Sequence, residues 1–104
     1  MASGQRPLPV ALNRLPGYKV RMRVLYFAWV RQKVGVAEEE VSPPESVRDV
    51  AGLVAWLAAR SPGHAAAFAQ PRQVRAAVNQ DFAAPDAPVR PGDEVAFFPP
   101  VTGG

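Results

Sequence analysis

GDEVAFFPPVTGG, residues 92–104, decides how the rest of the chain is read. Glu94 to Phe98 form a strand, with Val95 and Phe97 on one parity and Glu94, Ala96 and Phe98 on the other, and Pro99-Pro100 end it in an extended conformation. Val101-Thr102-Gly103-Gly104 follow, ending in a carboxylate. A terminal Gly-Gly taken alone reads as a fraying end. Beyond a rigid Pro-Pro it reads differently: without side chains it can thread a narrow tunnel and carry the carboxylate to a distant centre.

Working back from that strand, the twelve prolines mark the gaps between elements, since proline fits neither a helix interior nor a central strand. Residues 23–28 (RVLYFA) read as a central strand and residues 29–35 (WVRQKVG) as a short helical turn stopped by Gly35. Residues 36–41 (VAEEEV) return as a more polar strand, giving an antiparallel pair. After Pro43 and Pro44, Ser46 is placed to cap a helix, with Asp49 three residues on in the capping-box position. Val47, Val50, Val54, Leu57 and Ala58 keep helical spacing, and Ser61-Pro62-Gly63 ends the run, so a helix is expected near residues 47–60.

Residues 73–78 (QVRAAV) alternate as a half-buried strand, and Asn79-Gln80-Asp81 turns the chain into Phe82, with residues 85–93 a loop. The expected fold class is therefore α+β, a mixed sheet with one main helix across one face. The other face is left to solvent or to a partner. By parity Arg23, Leu25 and Phe27 share that face with Glu94, Ala96 and Phe98. Phe27 and Phe98 would make an exposed apolar patch of the kind that marks docking sites, unless the sheet curls or the N-terminal segment covers them.

The chain has 104 residues, enough for one domain with a modest core, and its 48% hydrophobic and 20% charged residues are ordinary globular values. It has no cysteine, which excludes disulfides, thiolate zinc sites and cysteine nucleophiles. No apolar run is long enough to span a membrane, and the first residues lack the pattern of a secretory signal. The net charge of +3 is local: Arg6, Arg14, Lys19 and Arg21 lie in residues 1–21 with no acid, leaving eight bases against nine acids beyond them. Residues 1–21, with Pro7, Pro9 and Pro16, read as a flexible leader outside the fold. A cloning remnant or an upstream start codon is favoured over a basic nucleic-acid arm or a transit peptide. The domain is then 22–98 and the tail 99–104.

Within the domain no side-chain set marks an active site. His64, the one histidine, lies just past the expected helix end and reads as a surface residue. Glu38-Glu39-Glu40 reads as solvated charge discouraging edge pairing rather than as a metal site. Gly103-Gly104 is not a phosphate loop, having neither a following helix nor a Lys-Ser/Thr.

The ending GDEVAFFPPVTGG, the opening VLYFAWVRQKVG (24–35) and AAVNQ (76–80) resemble the small subunits of molybdopterin synthase, the MoaD family of ubiquitin-like β-grasp sulfur carriers. The resemblance covers residues 22–104, and FFPPVTGG sets it apart from the thiamin sulfur carrier. It implies that an E1-like adenylyltransferase uses MgATP to adenylate Gly104, after which a sulfur donor protein converts the terminus to a thiocarboxylate. The chain itself would bind no cofactor. The tail, with Gly103, Pro99, Pro100, Val101 and Thr102, would enter the large subunit and give sulfur to cyclic pyranopterin monophosphate. This makes the chain the sulfur-carrying subunit of a cytoplasmic sulfurtransferase, a heterotetramer of two small and two large subunits, with neither nucleic acid nor membrane as partner. Phe27, Arg31 and Phe98 stand at the matching docking positions, with ordinary packing as their other role. Sulfur carriage for another pathway, a ubiquitin-like modifier and a plain binding module are the competing functions.

Overall fold

A computed structural model describes residues 21–100. The expected tail residues Val101, Thr102, Gly103 and Gly104, and all of the expected leader except Arg21, lie outside that range. Five strands form one mixed sheet in the order β2-β1-β5-β3-β4. β1 is Met22–Tyr26, β2 Glu38–Val41, β3 Arg75–Val78, β4 Asp81–Ala83 and β5 Glu94–Phe98. β1 runs parallel to β5, while β1–β2, β3–β5 and β3–β4 are antiparallel. The first and last strands thus lie side by side at the centre, as the β-grasp reading requires.

Between β1 and β2 the chain makes helix α1, Ala28–Val34, one residue longer at its start than expected. Gly35, at a φ of 101°, closes it in the left-handed conformation and donates its N–H to the Arg31 carbonyl. The main helix α2 is Val50–Ala58, shorter than the expected 47–60. Its cap is Asp49, whose carboxylate accepts from the Gly52 N–H at 2.7 Å, and not Ser46. The loop before β5 accounts for the delayed start. Asp49 bridges Pro88, the Val50 N–H donates to Ala87 and the Val89 N–H to Arg48, holding residues 48–49 extended until the loop is passed.

Ser61-Pro62-Gly63 does not stop the helical region but starts another helix, α3, Pro62–Ala67. Ser61 caps it by accepting from the His64 N–H, and Pro62 occupies the first turn, where its missing N–H costs nothing. A 3₁₀ turn at Pro71–Gln73 delays β3 to Arg75. Asn79 and Gln80, both at positive φ (51° and 74°), form the two-residue hairpin turn into β4.

The core lies between the sheet and the helices. Met22, Val24 and Tyr26 of β1 and Val95 and Phe97 of β5 meet Leu53 and Leu57 of α2. Phe68, following α3, stands edge-on to Phe97 with ring centroids 5.0 Å apart, and Tyr26 stacks on Phe97 at 6.3 Å.

Candidate functional site

The opposite face of the sheet carries no helix. Strand register sets its side chains in rows. The middle row runs Glu38, Leu25, Ala96, Ala77, Phe82, and the row toward the tail places Phe98 beside Arg75, with Phe27 one residue past β1. The Phe27 N–H donates to the Phe97 carbonyl, so Phe27 and Phe98 come from adjacent backbones, as parity requires. Phe27 is 48% exposed, and Phe98, Pro99 and Pro100 are half-buried. Arg31 is exposed one helical turn beyond Phe27. The structure therefore gathers Phe27, Arg31, Phe98, Pro99 and Pro100 at the end of the sheet from which the tail departs.

Sequence reasoning missed one member of this face. Phe82 is 84% exposed, and its ring centroid lies 5.9 Å from that of Phe98. The signal was present in the two-residue Asn79-Gln80 turn, whose register pairs Ala77 with Phe82 and so puts Phe82 on the open face.

Two residues set aside as surface groups form a partly buried polar chain on the helix side. His64 is buried, not a surface residue, and Glu39 is drawn inward, not left as solvated charge with its neighbours. The reason is alternation: Glu39 pairs with Val24 on the core parity of β2, whereas Glu38 and Glu40 point outward to Arg23 and Arg21. Tyr26 donates its O–H to Glu39 at 2.6 Å, and His64 Nε2 lies 2.7 Å from the same carboxylate oxygen. Ser61 Oγ lies 2.7 Å from His64 Nδ1. With Nε2–H donating to Glu39, Nδ1 is free to accept from the hydroxyl. Burial, and then the hydrogen bond to Glu39, push the Tyr26 phenol well above its usual range. Burial alone would raise the Glu39 carboxyl. The hydrogen bonds from Tyr26 and His64, with the nearby guanidinium of Arg60, outweigh it and hold the carboxyl below its ordinary value. This chain ties α3 to β2. Among the described residues no cluster of three His, Cys, Asp or Glu side chains could hold a metal ion. No helix among them is long and apolar enough to cross a membrane.

The ThiS family matches residues 24–104. The chain belongs to the ThiS family. This ThiS-family chain is 45% identical over 83 residues to a molybdopterin synthase sulfur carrier subunit of Escherichia coli (strain K12), covering 80% of this chain and 99% of that one. A Pyrococcus furiosus protein described as subunit 1 of a molybdopterin converting factor superposes with a TM-score of 0.66 at 34% identity, over 80% of this chain and 100% of that one. A chain from the complex of subunits 1 and 2 of the Helicobacter pylori 26695 molybdopterin-converting factor gives a TM-score of 0.53 at 19% identity, over 81% and 99% of the two chains, and speaks for the fold alone. The fold of this ThiS-family chain is the ubiquitin-like β-grasp.

Proposed function

We propose that the chain is the sulfur carrier subunit of molybdopterin synthase, acting in molybdenum cofactor biosynthesis. The observation that carries this reading is its 45% identity to the Escherichia coli carrier over 99% of that protein's length, beside a family match that runs through residues 24–104 and so includes the tail sequence. The geometry supports it. β5 is anchored by Val95 and Phe97 in the core and runs out past Phe98, so the tail leaves from beside the open aromatic patch. A partner covering that patch would meet the chain where it leaves the sheet at Pro99-Pro100.

On this reading the Gly104 carboxylate attacks the α-phosphorus of MgATP on an E1-like adenylyltransferase, forming the acyl-adenylate and releasing pyrophosphate. Sulfur from a donor protein then displaces AMP, leaving a thiocarboxylate. Adenylation is needed because a free carboxylate is a poor electrophile, whereas AMP is a good leaving group. In the heterotetramer of two small and two large subunits, the large subunit supplies the catalytic groups. The thiocarboxylate sulfur bonds to cyclic pyranopterin monophosphate, and water then cleaves the acyl–sulfur bond, leaving the sulfur on the pterin precursor and returning the terminus to a carboxylate. The small subunit itself holds no cofactor and no autonomous active site, and the cytoplasm is its proposed location.

Intact mass after incubation with the activating enzyme, MgATP and a sulfur source tests this reading. A gain equal to the difference between sulfur and oxygen is expected, whereas a gain of a whole protein would make the chain a modifier. Deleting Gly104 should abolish both this gain and molybdopterin formation while leaving the melt unchanged. Molybdopterin formed by the shortened chain would overturn the proposal.

A further inference from the structure

The docking face is electrically uneven. At its β2 side the charges are matched within the chain: Arg23 meets Glu38 at 2.8 Å, Arg21 meets Glu40 at 3.7 Å, and Glu94 stands in register with Arg23. At its β3 side stands Arg75, in register with Phe98. It makes no ion pair and no side-chain hydrogen bond among the described residues. The nearest acid in register on its own face is Glu94, four residues back along β5, or about 13 Å at the rise of a strand, beyond a Debye length at physiological salt. Arg75 also lines, with Phe82, Ala84 and Phe98, a depression of about 420 Å³ that a partner's side chains can enter.

A guanidinium keeps its charge at any physiological pH, and covering it without a partner is costly. Its planar fork matches a carboxylate in bidentate geometry. We propose that Arg75 is a specificity-determining residue of the docking face, and that the large subunit covering this face presents an Asp or Glu carboxylate to its guanidinium beside the apolar seat of Phe82 and Phe98. This rests on the carrier reading above. It adds the chemistry by which this chain selects its own large subunit among others with an equally apolar surface.

Calorimetric titration of the large subunit from the same organism with the full-length small subunit tests it, using Arg75→Leu, Arg75→Lys and Arg75→Glu, with Phe98→Ala as a control on the same face. Arg75→Leu should weaken the complex roughly thirtyfold or more, because the partner's carboxylate is left covered and unpaired. Arg75→Lys should lose less and Arg75→Glu more. Reversing the facing partner carboxylate should restore binding to Arg75→Glu. Melting temperatures should not move, since Arg75 is exposed in the free chain. If Arg75→Leu binds as tightly as the parent while Phe98→Ala does not, the inference is overturned and the docking reading stands. If neither weakens the complex, the face is not the interface and both fall.

Discussion

The two faces of the sheet are made by alternate residues of the same strands, and they are finished by different means. On the helix side Val24, Tyr26, Val95 and Phe97 are sealed from solvent, and among the described residues no buried side-chain nitrogen or oxygen lacks a hydrogen-bond partner. On the open side the pairing stops partway across: Arg23 and Arg21 find carboxylates, while Phe27, Phe82, Phe98 and Arg75 are left for something else to cover. Strand periodicity thus lets one short chain hold a surface completed by itself and, on the carrier reading, a surface left for another molecule to complete.

The strongest challenge to that division is a pair of adjacent phenylalanines. Phe97→Ala should cost about 3–5 kcal/mol of stability, since a fully buried ring that stacks on Tyr26 and meets Phe68 edge-on leaves a cavity. Phe98→Ala, one residue on, should barely alter stability. It should instead weaken the complex with the large subunit at least roughly thirtyfold, the effect of losing about 2 kcal/mol at an interface centre. Urea titration and calorimetry separate the two. Equal destabilisation by both would mean that the faces are not distinct.

Next in size is a test of how tightly the helix side is closed. A Cβ on Gly63 would stand 2.5 Å from the Lys33 carbonyl oxygen and 3.2 Å from that of Val34, backbone atoms that cannot swing away. Gly63→Ala must therefore push α3 off α1, at about 1–3 kcal/mol, with no change in partner affinity beyond what partial unfolding explains. A denaturant midpoint equal to the parent's would show that the α1–α3 contact is looser than its geometry.

That contact was also the least legible part of the sequence. The strands were readable because alternation and proline punctuation agree, and β5 was placed to the residue. Helix α3 was missed because Ser-Pro-Gly can end one helix or open another, and only the packing of Gly63 on α1 chooses between them. The cap of α2 was placed at Ser46 because capping signals are local, whereas the bridge from Asp49 to Pro88 that delays the helix spans thirty-nine residues of sequence. His64 and Glu39 were misread because the sequence separates them by twenty-five residues. Of the candidate site, Phe27 and Phe98 followed from parity, while Phe82 required the hairpin register.

The polar chain predicts a smaller effect, visible as pH dependence. Glu39 is held below the ordinary carboxylate value of 4.5, so its contribution is present above that pH and is lost as pH falls through the lowered value. Tyr26 is raised above 10.0, so its contribution is full below that pH and declines as pH rises beyond it. Stability should therefore show a plateau with both limbs bent. Glu39→Gln should flatten the acid limb and Tyr26→Phe the alkaline one, each at a cost of about 1–2 kcal/mol near neutrality for the hydrogen bonds removed. Limbs of unchanged steepness in urea midpoints across pH would mean that this chain does not couple to folding.

The smallest effect is expected at Phe82, and it bears most directly on whether the open face is free. Its ring touches Phe98 at the margin of the sheet but is 84% exposed, so the folded chain keeps most of its area in water and gains little from burying the rest. Phe82→Ala should change stability by no more than about 0.5 kcal/mol. β4 is only three residues long, and its register with β3 is set by the Asn79-Gln80 turn, which the substitution leaves intact. In the complex the same ring would flank Phe98, so its loss should weaken docking less than Phe98→Ala does, as a residue at the rim of an interface rather than its centre. Hydrogen exchange of the β3–β4 hairpin, measured beside the affinity, decides the matter. Unchanged protection with weaker docking places Phe82 on the face that the partner completes. Loss of protection with unchanged affinity would make it a structural cap of the hairpin and narrow the docking face to Phe27 and Phe98.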